Sequence, residues 1–81
     1  MTRILIIEDE PGIALGLEED LTYDGYHVEV ACDGELGLKR GREGEFDLIL
    51  LDVMLGDRDG LDICRMIKED DRLKFIPVII L

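Results

Sequence analysis

Runs of apolar residues divide the chain into four predicted strands. Arg3–Ile7, Phe46–Leu51 and Ile76–Leu81 are aliphatic almost throughout, which is typical of strands that are covered on both faces of a sheet. His27–Cys32 alternates apolar and polar positions, as expected of an outer strand. The pattern therefore predicts a sheet with buried central strands and the His27–Cys32 strand on the outside.

The first helix is predicted between the first two strands. Pro11 suits the first turn of a helix, because its fixed φ is already helical and no backbone N–H is needed there. Ile13, Leu17 and Leu21 recur at intervals of four residues, so they would form one buried face. We expect this helix to end near Gly25.

Two further helices are predicted after the second and third strands. Asp33 is placed to cap the start of one, and a polar loop over Gly56–Gly60 leads into the other. Ile63, Met66 and Ile67 lie on one side of this last helix and are expected to face the core. Strands that alternate with helices through short connections predict an α/β fold, in which helices cover both faces of a parallel sheet.

Composition narrows the possible partners. The chain has 81 residues, enough for one small domain, and its 9 basic and 20 acidic residues leave a net charge of −11. Residues 4–38 contain ten carboxylates and neither Lys nor Arg. Such a surface repels nucleic acid and anionic membranes, and the apolar runs are too short to span a bilayer. We expect no direct nucleic-acid or membrane partner.

The remaining chemistry-bearing residues exclude several classes of protein. The chain contains no Ser, so a serine nucleophile is ruled out. Cys32 and Cys64 lie among apolar residues, and we expect them to be small core residues rather than a disulfide or a redox pair. The start of the chain does not resemble a secretory signal, so a cytoplasmic location is expected.

Carboxylates follow directly after two of the most apolar strands. Glu8 and Asp9 end the first strand, and Asp52 ends the third. Ligands of open parallel sheets bind beyond the carboxyl ends of the strands, so these acids would converge if the two strands are neighbours. Carboxylates packed together repel one another and need a cation, and hard oxygen ligands suit Mg²⁺. A carboxylate beside Mg²⁺ is a competent nucleophile toward phosphorus.

These residues resemble a known family. The stretches Ile4–Glu10, Asp47–Leu55 and Ile76–Leu81, together with Asp33 and Gly60, match in order and spacing a bacterial two-component response-regulator receiver domain. The resemblance implies a flavodoxin-like, three-layer parallel sheet. Here it would comprise four strands in the order 2-1-3-4 and three helices.

The resemblance also implies a role for each site residue. Asp52 would be the phosphoacceptor that attacks a phosphohistidine on a sensor histidine kinase or phosphotransfer protein. Asp9, Asp52 and the backbone carbonyl of Met54 would coordinate Mg²⁺, and Glu8 would act through a bound water. Gly60 would allow the loop to turn into the third helix.

The sequence departs from the family at two places. Gly56 stands where the family usually has Pro, which implies a looser loop. The family continues beyond the fourth strand with a Ser or Thr, a strand ending in Lys, and two more helices. We therefore interpret residues 1–81 as the N-terminal portion of a receiver domain, and without that Ser/Thr and Lys a switch-incompetent fragment is the alternative.

Two further hypotheses concern function and assembly. A magnesium-dependent phosphohydrolase is less favoured, because that class needs a second Asp two residues after its nucleophile and Met54 stands there. The predicted fourth strand would leave Val78–Leu81 as an uncharged, apolar sheet edge. Because such edges pair with other strands, we predict a dimer or larger assembly through this strand.

Overall fold

Helices and strands alternate along the computed structural model, which describes residues 1–56 and 58–81. The elements in chain order are β1 (Arg3–Ile7), α1 (Pro11–Tyr23), β2 (His27–Ala31), α2 (Gly34–Glu43), β3 (Leu48–Leu51), β4 (Met54–Leu55), β5 (Arg58–Asp59), α3 (Gly60–Glu69) and β6 (Val78–Ile80). The predicted α/β fold is confirmed, and β6 is the predicted fourth strand. Asp57, in the middle of the predicted polar loop, lies outside the described residues.

The main sheet has the strand order β2-β1-β3-β6, and every pairing in it is parallel. This is the order 2-1-3-4 expected from the sequence. Alternate residues of the central strands point to opposite faces. Leu5 and Ile49 pack with α2 and α3, whereas Ile4, Ile6 and Leu50 pack with α1. The sheet is therefore the middle of three layers.

The start of each helix follows from a local cap. The Asp33 side chain accepts a hydrogen bond from the Leu36 N–H at 2.7 Å, which confirms its predicted capping role. Pro11 is the first residue of α1, as predicted.

Among the described residues, no helix is both long and apolar enough to cross a membrane.

Two predicted core positions in the helices are wrong. Ile13 is 54% exposed, because α1 turns Ala14 toward the sheet and Ile13 lies about 100° away on the helix. Met66 is exposed for the same reason, since Ile63 and Ile67 occupy the buried side of α3. Four-residue spacing identifies a helix, but packing decides which flank is buried.

Cys32 and the loop after β3 also differ from expectation. Cys32 is exposed, because β2 ends at Ala31 and the next residue leaves the alternation of the strand; Cys64 is only half-buried. Part of the predicted Gly56–Gly60 loop belongs to a short antiparallel ladder, in which Asp59 pairs with Met54, before the loop.

Candidate functional site

The site begins with the register of two neighbouring strands. In β1 and β3, Ile7 lies opposite Leu51, so the residues that follow them emerge side by side. The Asp52 N–H donates to the Ile7 carbonyl at 3.0 Å, and the Glu8 N–H donates to the Ala31 carbonyl at 3.0 Å. These bonds continue the sheet beyond its strands and hold the backbone of both acidic residues.

The predicted carboxylates converge at this end of the sheet. Oxygen atoms of Glu8, Asp9 and Asp52 all lie within 4.8 Å of one another. Glu8 is almost completely buried, Asp52 is half-buried and Asp9 is exposed. The cluster therefore has a closed floor at Glu8 and an open side at Asp9, from which an ion or a phosphoryl group can approach.

Burial and neighbouring acids perturb Glu8. Burial raises the pKa of the Glu8 carboxyl above its ordinary value, and its hydrogen bond to Asp52 and the nearby charges of Asp52 and Asp9 raise it further. The N–H of Glu10, which donates to Glu8 Oε1 at 3.1 Å, opposes the shift. Proton uptake by Glu8 is thus one way in which the cluster can reduce its own repulsion.

A divalent cation is the other way to reduce this repulsion. The donor set consists of carboxylate oxygens close enough to share one ion and accessible from one side. Hard oxygen donors with room for water are the surroundings that Mg²⁺ prefers. The residues present therefore fit Mg²⁺.

Gly60 closes the base of the loop that follows Asp52. A Cβ atom at Gly60 would lie 2.5 Å from the Cα of Val53 and closer still to the carbonyl oxygen of Asp52. The Gly60 N–H donates to the Val53 carbonyl at 2.6 Å. Glycine is needed here because the backbone of Gly60 touches the backbone of Asp52 and Val53. A left-handed conformation is not the reason, because the φ of Gly60 is not positive. The sequence identified the residue, but its reason is close approach rather than a turn.

Gly56 lies beside the acidic cluster, a position that the sequence indicated only as a departure from the family pattern. Its φ is +57°, in the left-handed region that proline cannot adopt. A Cβ atom there would lie 3.4 Å from Asp9 Oδ2. The signal in the sequence was a glycine in place of proline, and the structure explains it by a backbone conformation that excludes proline.

Met54 contributes its backbone rather than its side chain. Its N–H donates to Asp52 Oδ1 at 3.1 Å, which orients the carboxylate. The side chain is 79% exposed. The metal-binding role of the Met54 carbonyl stays a prediction.

An open cleft of about 250 Å³ adjoins the cluster between α1 and β2. Apolar side chains and three carboxylates line it together: Glu8, Asp9, Pro11, Ala14, Leu15, Glu18, Val30 and Cys32. The exposed Cys32 is thus part of the wall of this cleft. Sequence periodicity could not reveal it, because the cleft depends on how α1 lies over β2.

Comparisons with known proteins agree with this geometry. The profile of the response regulator receiver domain matches residues 4–81. A curated relative, response regulator ArlR of Staphylococcus haemolyticus, is 42% identical over 81 residues, which is all of this chain and 36% of that protein. The chain thus spans about a third of the length of the curated relatives that it matches.

Two solved structures share both fold and sequence. Response regulator TrrA of Thermotoga maritima, in complex with Mg²⁺-BeF, is 36% identical with a TM-score of 0.83, over 89% of this chain and 63% of that one. A complex of the histidine kinase ThkA with TrrA matches at 35% identity and a TM-score of 0.89, over 99% of this chain and 67% of that one. With the parallel sheet and its acidic edge, these matches show that the chain belongs to the response regulator receiver domain family and is a signalling module of the phosphorelay type.

Proposed function

We propose that this domain accepts a phosphoryl group on Asp52 in a Mg²⁺-dependent step of two-component signalling. The observation that carries the proposal is the convergence of the Glu8, Asp9 and Asp52 carboxylates within 4.8 Å. Asp52 is the nucleophile, because it is half-buried at the end of a central strand and the Met54 N–H orients it. The family membership supports this assignment.

Four groups would hold the metal. Asp9, Asp52 and the backbone carbonyl of Met54 are the proposed direct ligands, and Glu8 acts through a water. When bound, Mg²⁺ neutralises charge on the phosphoryl oxygens and on the carboxylates. TrrA, a relative at 36% identity, was solved with Mg²⁺-BeF, which supports a metal at this site.

The phosphoryl donor is a phosphohistidine. A carboxylate oxygen of Asp52 attacks the phosphorus, so a P–O bond forms while the P–N bond to the imidazole breaks. The departing imidazole nitrogen keeps the electron pair of that bond and takes a proton from solvent.

The donor's carrier is a sensor histidine kinase or a phosphotransfer protein. TrrA has been solved in complex with the histidine kinase ThkA, and this chain matches TrrA over 89% of its own length. The domain is proposed to act in the cytoplasm and to modify itself rather than turn over an external substrate. Met54, two residues after Asp52, argues against a phosphohydrolase, which needs an Asp at that position.

Phosphorylation by a small phosphodonor tests the proposal without the kinase. In Mg²⁺, intact mass spectrometry should detect one added phosphoryl group per chain, and omission of Mg²⁺ should reduce it strongly. Asp52→Asn should abolish the addition. Asp20→Asn, a matched change on the exposed side of α1, should leave it unchanged. Equal inertness of the wild type and Asp52→Asn would contradict the proposal and favour a fragment that cannot switch.

We also propose self-association through β6. This strand lies at one end of the sheet in the described part of the chain, and Ile79, Ile80 and Leu81 are each 39–51% exposed. Uncharged edges of this kind pair readily with other strands. Sedimentation should detect a dimer or larger species at tens of micromolar, whereas a stable monomer there would refute this part of the proposal.

A further inference from the structure

The cleft between α1 and β2 has no role in the proposed phosphorylation step. Its volume of about 250 Å³ is smaller than the roughly 300–1,000 Å³ of pockets for drug-sized ligands, so it suits a smaller molecule. The residues that line it fall between positions 8 and 32, on the β2 side of the sheet and away from β6. The cleft is therefore built by β1, α1 and β2 and the residues that follow the two strands.

Part of the wall of this cleft is apolar. Ala14 is buried, Val30 is half-buried and Leu15 is 54% exposed. Pro11 and Cys32 add to the same wall. Apolar surface favours contact with a hydrocarbon chain over contact with water. The cleft therefore suits a ligand with a hydrocarbon segment.

Carboxylates occur at two separate places in the wall. Glu8 and Asp9 precede α1 and belong to the acidic cluster, whereas Glu18 lies on α1 itself. The helix begins at Pro11, and at 1.5 Å per residue Glu18 lies about 10 Å further along its axis. The wall thus carries negative charge near both the start and the third turn of α1, with Leu15 between them along the helix.

The Glu18 carboxylate has no cationic partner within the protein. Residues 4–38 contain neither Lys nor Arg. Among the described residues, this carboxylate takes part in no ion pair and accepts no hydrogen bond. Glu18 is half-buried, so water and salt screen it less than a fully exposed acid. A ligand that brings its own cation would pair with this charge.

We propose that the cleft binds a linear aliphatic polyamine, with one ammonium group at Glu18 and another at Glu8 and Asp9. The methylene chain between the ammonium groups packs on Leu15 and its apolar neighbours. Lysine side chains behave in the same way, with the methylene stem on apolar surface and the charged end at a polar group. A metal ion would leave the apolar wall in water, and a neutral hydrocarbon would leave the carboxylates unpaired. A polyamine meets both requirements.

Occupancy of the cleft has a consequence for the acidic cluster. Glu8 and Asp9 line the cleft and also belong to the proposed Mg²⁺ site. An ammonium group there competes with Mg²⁺, so the polyamine should raise the apparent Kd for Mg²⁺ and slow the phosphorylation of Asp52. By linkage, Mg²⁺ should weaken polyamine binding by the same factor. This consequence rests on the proposed function, whereas binding of a polyamine to the metal-free protein does not.

Calorimetric titration of the metal-free protein with spermidine tests the site. At 0.15 M salt the Debye length is about 8 Å, so diffuse attraction to the net charge of −11 is largely screened. We expect one saturable site per chain with a Kd of about 1 mM or lower, as is reasonable for a ligand of about ten non-hydrogen atoms. Butylamine has one ammonium group, like a lysine side chain, and should bind roughly tenfold more weakly. Equal affinities, or no saturable binding of spermidine, would overturn the proposal.

Two matched pairs of variants locate the bound spermidine. Glu18→Gln and Glu19→Gln remove the same charge from neighbouring positions, but Glu18 lines the cleft and Glu19 does not. Glu18→Gln should weaken binding roughly three- to tenfold, and Glu19→Gln by less than about twofold. Leu15 and Ile13 are each 54% exposed, and of the two Leu15 lines the cleft. Leu15→Ser should weaken binding roughly threefold, and Ile13→Ser should not. Equal losses within each pair would show that spermidine follows surface charge, and would overturn the site.

Phosphorylation at limiting Mg²⁺ tests the second ammonium position. With a small phosphodonor, spermidine should slow the modification of Asp52, and excess Mg²⁺ should restore it. The inhibition should be weaker in Glu18→Gln than in Glu19→Gln. Saturating spermidine that leaves the rate unchanged would overturn the contact with Glu8 and Asp9. If Asp52 accepts no phosphoryl group under any condition, the proposed function fails, and the calorimetric titrations still decide whether the cleft binds a polyamine.

Discussion

Replacement of Glu8 by Gln should stabilise the metal-free domain at neutral pH. Glutamine has nearly the same shape and keeps an acceptor for the Glu10 N–H. It removes one charge from a cluster whose oxygens lie within 4.8 Å of one another. At an effective dielectric constant of about 20, two charges at that distance repel by about 3.5 kcal/mol. Because Asp9 is exposed and solvent screens it, we expect a net gain of about 1–3 kcal/mol in the free energy of unfolding.

The gain should depend on pH in a predictable direction. The pKa of Glu8 is raised in the folded state, so the folded protein binds this proton more tightly than the unfolded chain does. Wild-type stability therefore falls as the pH rises from the ordinary value of 4.5 through the raised pKa. Below pH 4.5 Glu8 is protonated in both the folded and the unfolded chain, so the stability advantage of Glu8→Gln should vanish there.

Urea unfolding in a chelator, at acidic and at neutral pH, measures this difference. For a domain of this size each kcal/mol corresponds to a change in Tm of about 4–8 °C. Glu19→Gln, the same change at an exposed position of α1, is the control and should have little effect. In addition, Mg²⁺ at ten times its Kd should stabilise the wild type by about 1.4 kcal/mol and Glu8→Gln by less. Equal stability of Glu8→Gln and Glu19→Gln at neutral pH would refute the repulsion argument.

Two further changes test the packing around the site and the link between α2 and α3. Gly60→Ala should lower the free energy of unfolding by about 1–3 kcal/mol, because the added Cβ would lie 2.5 Å from the Cα of Val53. Gly16→Ala is the control, because Gly16 has open space around it, and thermal unfolding should find this variant neutral or stabilised. Arg42→Ala removes an ion pair in which Nε lies 2.6 Å from Asp70 Oδ2. Arg42 lowers the pKa of Asp70, so the ion pair stabilises the fold above the ordinary pKa of Asp70, and this stabilisation is lost as the pH falls through the lowered pKa. The free energy of unfolding of Arg42→Ala should therefore depend less steeply on pH in the acidic range. Identical pH dependences of the wild type and Arg42→Ala would contradict the assignment.

The sequence alone determined the order of the three helices and of the four strands of the main sheet, and it identified the acidic residues that meet at the site. Strand and helix periodicity are local properties, and so are caps such as the bond from the Leu36 N–H to Asp33, three residues away. Acidic residues after two apolar strands were sufficient to predict the cluster, because parallel strands end at the same edge of a sheet. These features do not depend on how the helices pack on the sheet, so they could be predicted before the fold was known.

Tertiary structure decided how each of these residues is used. Glu8 and Asp9 are adjacent in sequence, yet Glu8 is buried with a raised pKa and Asp9 is exposed. The difference arises because β1 ends between its neighbours β2 and β3, which enclose Glu8 but not the residue after it. Ile13 has the spacing of a core residue but lies on the uncovered flank of α1. Gly60 is needed because a strand end and a helix start touch there. Each outcome depends on contacts between distant parts of the chain, and local periodicity carries no information about them.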